Sequence, residues 1–438
     1  MWQGAWLLGA LKNRKPTFVD DIFIHSENER ILYLNPNAPD WITIKQKYKP
    51  IFDLINGKNS KKAIYDFIIA NYADEKELLV SQMKNLFQTL NIFKHSYKPP
   101  LFDNKKTQLP KNIYLTLTDN CNLHCVYCYA TERTKNKNIS LDKWIEYVTS
   151  IINFAGKPAF VFTGGEPLTV PYIFELASFI KNRNCELVLL TNGTLITSEN
   201  IASNIADLFN LVKISLDSID DKISTELRGN DVLKKVKYAY DMLIDKKCNV
   251  RILATVTSKT CNDLTIFSEY FNNNVNFQPF YSMGRARNED DLYISGEQYY
   301  KALTESGKFV FLKDFHNKIF TFKNNPCKKC SMAEIELSIC SNGDVFPCHM
   351  LHYDEYFCGN LNENSMKNIF YNSQVLNDLR EINVDFIPQC VKCVYRNICG
   401  GACRARVNIP KDGILGSDKF CVFEQKQILD ALMYSYDG

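Results

Sequence analysis

The chain has 438 residues, of which 45% are hydrophobic and 23% are charged, so it is long enough and apolar enough for more than one buried core. The formal net charge of +3 excludes the strong positive field of a nucleic-acid-binding or membrane-surface protein, and no stretch is apolar over the length of a membrane-spanning helix. The mildly apolar first residues lack the basic region of a signal peptide, so the 16 cysteines favour metal clusters in a cytoplasmic protein over disulfides.

Residues 1–100 are predicted to form a separate unit, a small sheet followed by three helices. Ser60 and Asp74 are suited to cap the second and third helices, and each precedes an amphipathic stripe. This order of elements is winged-helix-like, and the unit carries no cluster of catalytic side chains. A packing or oligomerisation module is the plainer interpretation. The other predicted elements are the strands Phe18–His25 and Arg30–Leu34, a turn at 26–29, a rigid loop at 35–40 and a first helix at Tyr48–Ile55.

A polar, proline-bounded linker at 101–110 leads to residues 111–318, in which strand patterns alternate with helix patterns. Six such β/α units predict the α/β class and a partial (β/α)₆ barrel of the TIM type, open on one side. The predicted strands are Ile113–Leu117, Ala159–Phe162, Leu187–Leu190, a fourth ending at Ser215, Val250–Thr257 and Val275–Phe280.

Three cysteines follow the first barrel strand with C-x₃-C-x₂-C spacing: Cys121, Cys125 and Cys128. The loop at the carboxyl end of a barrel strand is where such folds carry their chemistry. Three thiolates can bind three irons of a cubane cluster and leave the fourth iron without a protein ligand. A zinc site with three thiols and a chance match are the alternatives.

Polar motifs also end the next three strands. The second strand leads into the sequence TGGEP at 163–167, the third into Thr-Asn-Gly at 191–193, and the fourth into Ser-Leu-Asp at 215–217, with Arg228 just beyond. Glycines allow close backbone approach at such a turn. Because the carboxyl ends of parallel strands share one edge of the sheet, these motifs are expected beside the cysteine loop.

These motifs resemble those of the radical S-adenosylmethionine (SAM) superfamily, and Tyr127 fills the aromatic position of its C-x₃-C-x-aromatic-C signature. The resemblance implies a [4Fe–4S] cluster on the three cysteines, SAM bound to that cluster, and a low-potential electron donor such as flavodoxin or ferredoxin at low oxygen. It assigns the methionine amino group to Glu166 and nearby backbone, and the carboxylate or ribose to Ser215 and Arg228. The SAM-binding residues implied are Tyr127, Gly164, Gly165, Glu166, Asn192, Ser215, Asp217 and Arg228.

Residues 319–438 carry a denser array of cysteines that resembles the SPASM domain in order and spacing. The resemblance implies two auxiliary [4Fe–4S] clusters with a crossed ligand pattern, three clusters in all. Two structural zinc sites are one alternative, and an open or substrate-bound iron at the place of Cys327 is another. Cysteines outside the pattern are expected to be core or spare thiols. Among them Cys340 is the strongest candidate for a further ligand, because it lies between predicted ligands in the sequence. The implied ligands are Cys327, Cys330, Cys348 and Cys403 for auxiliary cluster I and Cys390, Cys393, Cys399 and Cys421 for auxiliary cluster II.

The N-terminal unit resembles the recognition element of enzymes that modify ribosomally made peptides (RiPPs), which holds a leader peptide as an extra strand. Together these resemblances imply a radical SAM/SPASM peptide maturase, in which a 5′-deoxyadenosyl radical removes hydrogen from the core peptide. Cysteine thioether crosslinks of the sactipeptide or ranthipeptide type are the first choice. The alternatives are C–C or C–O crosslinking, epimerisation, formylglycine formation as in anaerobic sulfatase maturases, and a non-catalytic zinc-structured peptide-binding protein.

His349 stands where sulfatase maturases carry a catalytic Asp, directly after the second SPASM cysteine. It can take a proton near neutral pH, or it can serve only as a hydrogen-bonding neighbour of the cluster. Deleting residues 1–100 is expected to leave SAM cleavage intact and to abolish leader-dependent modification.

Overall fold

The computed structural model describes residues 15–89, 108–132, 138–307, 319, 321–322, 326–407 and 409–434. Residues 101–107 of the predicted linker, the first fourteen residues and most of the segment around the predicted 318/319 boundary lie outside these ranges. Within them, no helix combines the length and the apolar character that crossing a bilayer requires.

The N-terminal unit contains a three-stranded antiparallel sheet of β1 (Phe23–Glu27), β2 (Arg30–Asn35) and β3 (Asp40–Lys45). The first strand begins at Phe23 and not at the predicted Phe18, and β3 was not predicted. The stretch predicted as a rigid loop is a hairpin turn, because Asn35 pairs with Asp40 across it. The side-chain oxygen of Asn35 closes this turn by accepting the backbone N–H of Asn37 at 3.0 Å.

Three helices follow the sheet: α1 (Lys49–Asp53), α2 (Lys61–Asn71) and α3 (Lys76–Thr89). Ser60 caps α2 as predicted, and its hydroxyl accepts the backbone N–H of Ala63 at 3.1 Å. A turn at 73–75 precedes α3, so this helix begins two residues after Asp74. The helices cover one face of the sheet, where alternate β2 residues join their apolar cluster.

The six predicted barrel strands are present and parallel, in sequential order, and the open α/β architecture is confirmed. They are β4 (Asn112–Thr118), β5 (Ala159–Gly164), β6 (Leu187–Thr191), β7 (Leu211–Ser215), β8 (Val250–Val256) and β9 (Val275–Pro279). The helices are α4 (Leu141–Ala155), α5 (Ile173–Lys181), α6 (Glu199–Leu208), α7 (Asp221–Arg228), α8 (Val232–Asp245), α9 (Leu264–Tyr270) and α10 (Gly296–Glu305).

The C-terminal region continues the same sheet. Strand β10 (Glu336–Cys340) pairs in parallel with β4, and β11 (Asp344–Phe346) and β12 (Gly359–Asn360) follow antiparallel, which makes nine strands. Strand β4, the first barrel strand, therefore has a paired strand on both sides. The sheet continues across the domain boundary that was predicted between residues 318 and 319. The remaining helices are α11 (Met366–Asn372), α12 (Gln374–Glu381), α13 (Arg396–Cys399), α14 (Ile409–Asp412) and α15 (Cys421–Tyr434).

The second face of the N-terminal sheet packs on the C-terminal region. Leu34 and Trp41 share an apolar cluster with Ile428 and Leu432 of α15. The Thr43 hydroxyl donates to the Leu432 carbonyl at 2.7 Å, so polar contacts cross the same interface. The N-terminal unit is thus fixed directly to the helix that begins at Cys421.

Candidate functional site

The cysteine loop after β4 opens onto a cavity of about 770 Å³. Burial raises the pKa of the Cys121 thiol, and the nearby Glu166 and the other two loop cysteines raise it further. Burial also raises the pKa of Cys125, although Arg228 opposes that shift. None of the three thiols is in a disulfide and they are close enough to influence one another, so as thiolates they would repel one another unless a cationic centre balanced them. This donor set fits a metal cluster.

The two glycines of the TGGEP motif allow the β5 loop to lie against the β4 loop. Gly164 has φ +135°, and a Cβ there would lie 2.3 Å from the Thr118 carbonyl oxygen. A Cβ at Gly165 would lie 2.1 Å from the Asn120 carbonyl oxygen, closer than any side chain tolerates. The Gly165 N–H donates to Thr118 O at 2.7 Å and the Glu166 N–H to Asn120 O at 2.8 Å, which ties the two loops together.

Glu166 is fully buried and connects two strand ends instead of lining the cavity. One carboxylate oxygen accepts from the Thr191 hydroxyl at 2.7 Å and from the Leu168 N–H at 3.1 Å, and the other from the Asn192 N–H at 2.7 Å. Burial raises the pKa of this carboxyl, and these donors oppose the shift. Its side chain therefore acts on the cavity through Asn192.

Asn192 lines the cavity and contacts the cysteine loop. Its side-chain N–H donates to the Asn122 side-chain oxygen at 2.9 Å and lies 3.8 Å from the Cys121 sulfur. Its own oxygen accepts the Thr194 N–H at 2.9 Å, which fixes the orientation of the amide. The third strand end thus holds the loop in position beside its first cysteine.

A buried network around Asp217 supports the other side of the loop. Arg228 donates to this carboxylate through Nε at 2.5 Å and Nη2 at 3.1 Å, and the Thr255 N–H donates at 2.8 Å. The Tyr127 hydroxyl donates to the same carboxylate, and its ring lies 5.5 Å from the Arg228 guanidinium carbon. Burial disfavours the guanidinium charge, but Asp217 raises the pKa of Arg228 well above its usual range.

The structure brings the eight predicted SAM-binding residues to one edge of the sheet. Two of them, Glu166 and Asp217, lie behind the cavity wall and hold their neighbours. The six that line the cavity are Tyr127, Gly164, Gly165, Asn192, Ser215 and Arg228.

One set of C-terminal cysteines faces the same cavity. Burial raises the pKa of Cys348, and Glu336, Cys330 and Cys403 raise it further, so these thiols lie together. Cys327 lines the cavity with them, and its sulfur would lie 2.6 Å from a Cβ at Gly400. Gly400 therefore leaves room for this sulfur, as the predicted ligand set of auxiliary cluster I requires.

The second set comprises the four cysteines predicted for auxiliary cluster II. Burial, together with the nearby Cys393 and Cys390, raises the pKa of Cys421 to about 11. Cys399 is coupled to Cys390 in the same way. The Gln425 amide nitrogen lies 3.6 Å from the Cys421 sulfur and 3.7 Å from the Cys393 sulfur. These four cysteines therefore lie together in space, and their role as ligands of one cluster stays a prediction.

The five cysteines outside the β4 loop and the two C-terminal sets are not grouped with any of them. Cys185, Cys248, Cys340 and Cys358 are buried, and Cys261 is half-buried. The Cys340 sulfur lies 3.5 Å from His352 Nδ1, and His352 Nε2 lies 2.9 Å from the Ser338 hydroxyl. Cys340 therefore belongs to a local polar contact of β10.

His349 lines the cavity beside Cys348 and is held by two neighbours. Its Nδ1 lies 2.7 Å from Glu336 Oε1, and its ring stacks on Tyr114 at 4.1 Å between centroids. Burial would raise the pKa of Glu336, but the hydrogen bond to His349 lowers it overall. No sequence motif marks Glu336 or Tyr114, because β10 and β4 become neighbours only in the fold.

Two family models match the chain. Residues 115–260 match the Radical SAM superfamily, and residues 327–394 match SPASM, an iron-sulfur cluster-binding domain. The AdoMet-dependent heme synthase of Methanosarcina barkeri is 24% identical over 72% of this chain and 97% of its own. The cysteine-type anaerobic sulfatase-maturating enzyme of Clostridium perfringens is 26% identical over 69% of this chain and 90% of its own.

A solved structure extends the similarity to the N-terminal unit. Streptococcus suis SuiB bound to its precursor peptide SuiA aligns with a TM-score of 0.58 and 16% identity, over 93% of this chain and 99% of that chain. The fold is therefore a radical SAM domain followed by a SPASM domain, and the cofactors are SAM and [4Fe–4S] clusters. The three separate sets of neighbouring thiols fit that requirement.

Replacing Gly165 by alanine is expected to lower the free energy of unfolding by about 3 kcal/mol or more, because its Cβ would collide with backbone. Gly57→Ala is the matched control, since Gly57 has φ +77° but no atom nearer than 3.5 Å to its Cβ, and it should cost about 1 kcal/mol. Urea unfolding and iron content after reconstitution measure both. Equal losses in the two variants would contradict the assigned role of Gly165.

Proposed function

We propose that this chain, with its radical SAM and SPASM domains, is a peptide maturase that holds the leader of a ribosomally made precursor and modifies the core peptide. The observation that carries the proposal is the packing of the N-terminal sheet on α15, the helix that begins at Cys421. The Asn397 amide of α13 also donates to the Pro36 carbonyl at 2.7 Å, beside Cys399. A leader bound by this unit would therefore lie next to the C-terminal region that carries the second cysteine set.

We assign the metal ligands as the two resemblances imply. The bound cluster and SAM would supply a 5′-deoxyadenosyl radical for hydrogen abstraction from a peptide C–H bond. The auxiliary clusters would take the remaining electron or bind a substrate thiolate. The assigned ligands are Cys121, Cys125 and Cys128 for the SAM-binding cluster, Cys327, Cys330, Cys348 and Cys403 for auxiliary cluster I, and Cys390, Cys393, Cys399 and Cys421 for auxiliary cluster II.

The chain's own residues would position the reactants and exclude water. Apolar side chains of the strands, among them Val161, Val188 and Leu253, line the inner wall of the cavity and would help to exclude water once substrate is bound. His349 is our candidate for the group that takes a proton from the substrate, since it faces the cavity with Glu336 at its Nδ1. Glu336 would stabilise the imidazolium that forms.

Within the peptide-maturase proposal, we infer that the product is a thioether between a cysteine sulfur and a carbon of another residue. Anaerobically reconstituted enzyme with dithionite should release 5′-deoxyadenosine and remove two hydrogens from the precursor for each crosslink. The modified cysteine should resist alkylation. Retained free thiols with the same mass loss would indicate C–C or C–O crosslinking, and an unchanged mass with inverted stereochemistry would indicate epimerisation.

Binding of the precursor is expected to protect β3 from hydrogen exchange in the full-length enzyme. Among the described strands β3 pairs only with β2, and an added peptide strand would pair on its other side. The β3 side chains are buried up to Ile44, so the added strand would pair with a well-packed strand, whereas β1 is largely exposed. Exchange mass spectrometry with and without the precursor measures both strands. Protection of β1 alone, or of neither, would contradict this leader site.

Sulfatase maturation is the second candidate, favoured by the similarity to the Clostridium perfringens enzyme. In the structural comparison the anSMEcpe structure covers 74% of this chain, whereas SuiB covers 93% of it. The two candidates separate in one assay that offers a leader-bearing precursor and a short sulfatase-derived cysteine peptide side by side. Conversion of the leaderless peptide to formylglycine, with no change in the precursor, would favour the sulfatase maturase.

A further inference from the structure

Most charged side chains that line the main cavity have a partner close by. Arg228 binds Asp217, Arg406 binds Asp418 at 2.7 Å, and Glu336 lies 2.7 Å from His349. Arg406 also pairs with Glu424, so two carboxylates share its charge. These groups therefore offer no unpaired positive charge to a ligand, and one lysine differs from all of them.

Lys213 lies on β7 and points into the barrel. It shares its face of the strand with Leu211 and Ser215, all three line the cavity, and the alternate residues Val212 and Ile214 are fully buried on the helix side. Within the described ranges no acidic group lies in ion-pair distance of its ammonium. Burial lowers the pKa of Lys213, which reports a cation held out of water without a counter-ion.

A second cation lies beside it on the same face of the sheet. Arg251 of β8 is the register partner of Lys213, and β8 alternates so that Leu253 and Thr255 line the cavity further along the same face. Arg251 has no ion pair with any residue that the structure describes. Like charges directly opposite on neighbouring strands destabilise a sheet, and the partner of Lys213 on β6 is the apolar Leu190.

We propose that Lys213, with Arg251 beside it, binds a carboxylate within the barrel, either a carboxylate of the peptide substrate or that of SAM. The identity of these ligands rests on the proposed function. A cation in an apolar wall with a second cation beside it is stabilised once an anion neutralises both, and a carboxylate presents two oxygens to such a pair. Among the described lining residues Lys213 is the cation without a counter-ion, and Arg251 lies next to it in register without itself lining the cavity.

SAM and the peptide substrate would place the carboxylate at different depths in the barrel. Ser215, the residue assigned to SAM, ends β7, and Lys213 lies one inward-facing position deeper in the barrel. Arg228, the other residue assigned to SAM, already gives two donors to Asp217. A peptide that enters from the open side of the barrel could reach Lys213 with an acidic side chain or with its C-terminus, and this source is the one we expect.

The test uses the reconstituted full-length enzyme and binding measurements that need no turnover. The probes are a short synthetic cysteine peptide with one Glu, its Gln counterpart, and both peptides again with an amidated C-terminus. Fluorescence anisotropy in the presence of SAM measures how tightly each probe binds. Radiolabelled SAM in equilibrium dialysis gives the SAM affinity separately. The variants are Lys213→Met, Lys213→Arg and Arg251→Met, with the exposed Lys234→Met of α8 as the matched control.

The wild type is expected to bind the acidic peptide about tenfold more tightly than the neutral one, the strength of a hydrogen-bonded charge pair. Lys213→Met should abolish this preference, Arg251→Met should weaken it, and Lys213→Arg and Lys234→Met should retain it. Because Lys213 has no counter-ion, Lys213→Met should unfold at no lower a temperature than the wild type, so misfolding does not explain the loss.

A tenfold weaker SAM affinity in Lys213→Met, with no discrimination between the peptides, would support the carboxylate site and identify SAM as its source. Equal binding of all four peptides by the wild type, amidated and free, together with unchanged SAM affinity in Lys213→Met, would overturn the proposal. Failure of the proposed function would appear elsewhere, as an enzyme that binds these probes but forms no 5′-deoxyadenosine and leaves the precursor unmodified.

Discussion

Alanine at any one of Cys121, Cys125 or Cys128 is expected to reduce the release of 5′-deoxyadenosine to the level of enzyme-free controls. The three thiols are the protein donors available to this cluster, and a lost donor exposes a second iron instead of one. Iron content should fall by about four atoms per chain if that cluster is not assembled. Chromatography of the nucleoside after dithionite reduction, with iron and labile sulfide analysis, measures both quantities.

Two matched substitutions separate the loss of a ligand from the loss of a thiol. Cys261→Ala removes a half-buried thiol outside all three sets, and it should leave nucleoside release and iron content unchanged. Cys421→Ala should lower the iron content while the first cluster still cleaves SAM. Nucleoside release by Cys125→Ala at the wild-type rate would refute the assignment of the loop, and zinc without sulfide in the wild type would refute the clusters altogether.

The residues at the strand ends were predictable because their signals are local. The cysteine spacing, TGGEP and the motifs after β6 and β7 each occupy a few consecutive residues, and parallel strands bring such ends together. What each side chain does there depends on its neighbours in space. Glu166 and Asp217 belong to motifs read as direct contacts, yet both lie behind the cavity wall and orient Asn192 and Arg228.

Residues without a motif were not predictable. Lys213 looks like any charged residue in an alternating strand until β8 sets Arg251 opposite it. Glu336 meets His349 only because β10 joins the sheet beside β4. The third N-terminal strand was hidden by an Asn- and Pro-rich turn, and its contact to α15 joins residues 389 positions apart. Long-range register, which no short window of sequence contains, decides each of these cases.

Trp41→Ala is expected to lower the free energy of unfolding by about 3–5 kcal/mol and to lower the iron bound at the second cysteine set. Trp41 is 3% exposed and shares an apolar cluster with Ile428 and Leu432 of α15. Since α15 begins at Cys421, loosening this interface should free one side of that set. Urea unfolding and iron analysis of the reconstituted enzyme measure the two effects.

This interface also changes what a truncation can show. Deleting residues 1–100 would uncover the buried face of α15, so loss of activity in that variant would not by itself identify leader binding. Ile24→Ala is the matched control for Trp41→Ala, because Ile24 lies on β1 of the same sheet but is 52% exposed. It should change neither stability nor iron content. If Trp41→Ala keeps the full iron content although its unfolding free energy falls, the N-terminal unit does not support the second cysteine set. Loss of leader-dependent modification in the truncated enzyme would then report on leader binding alone.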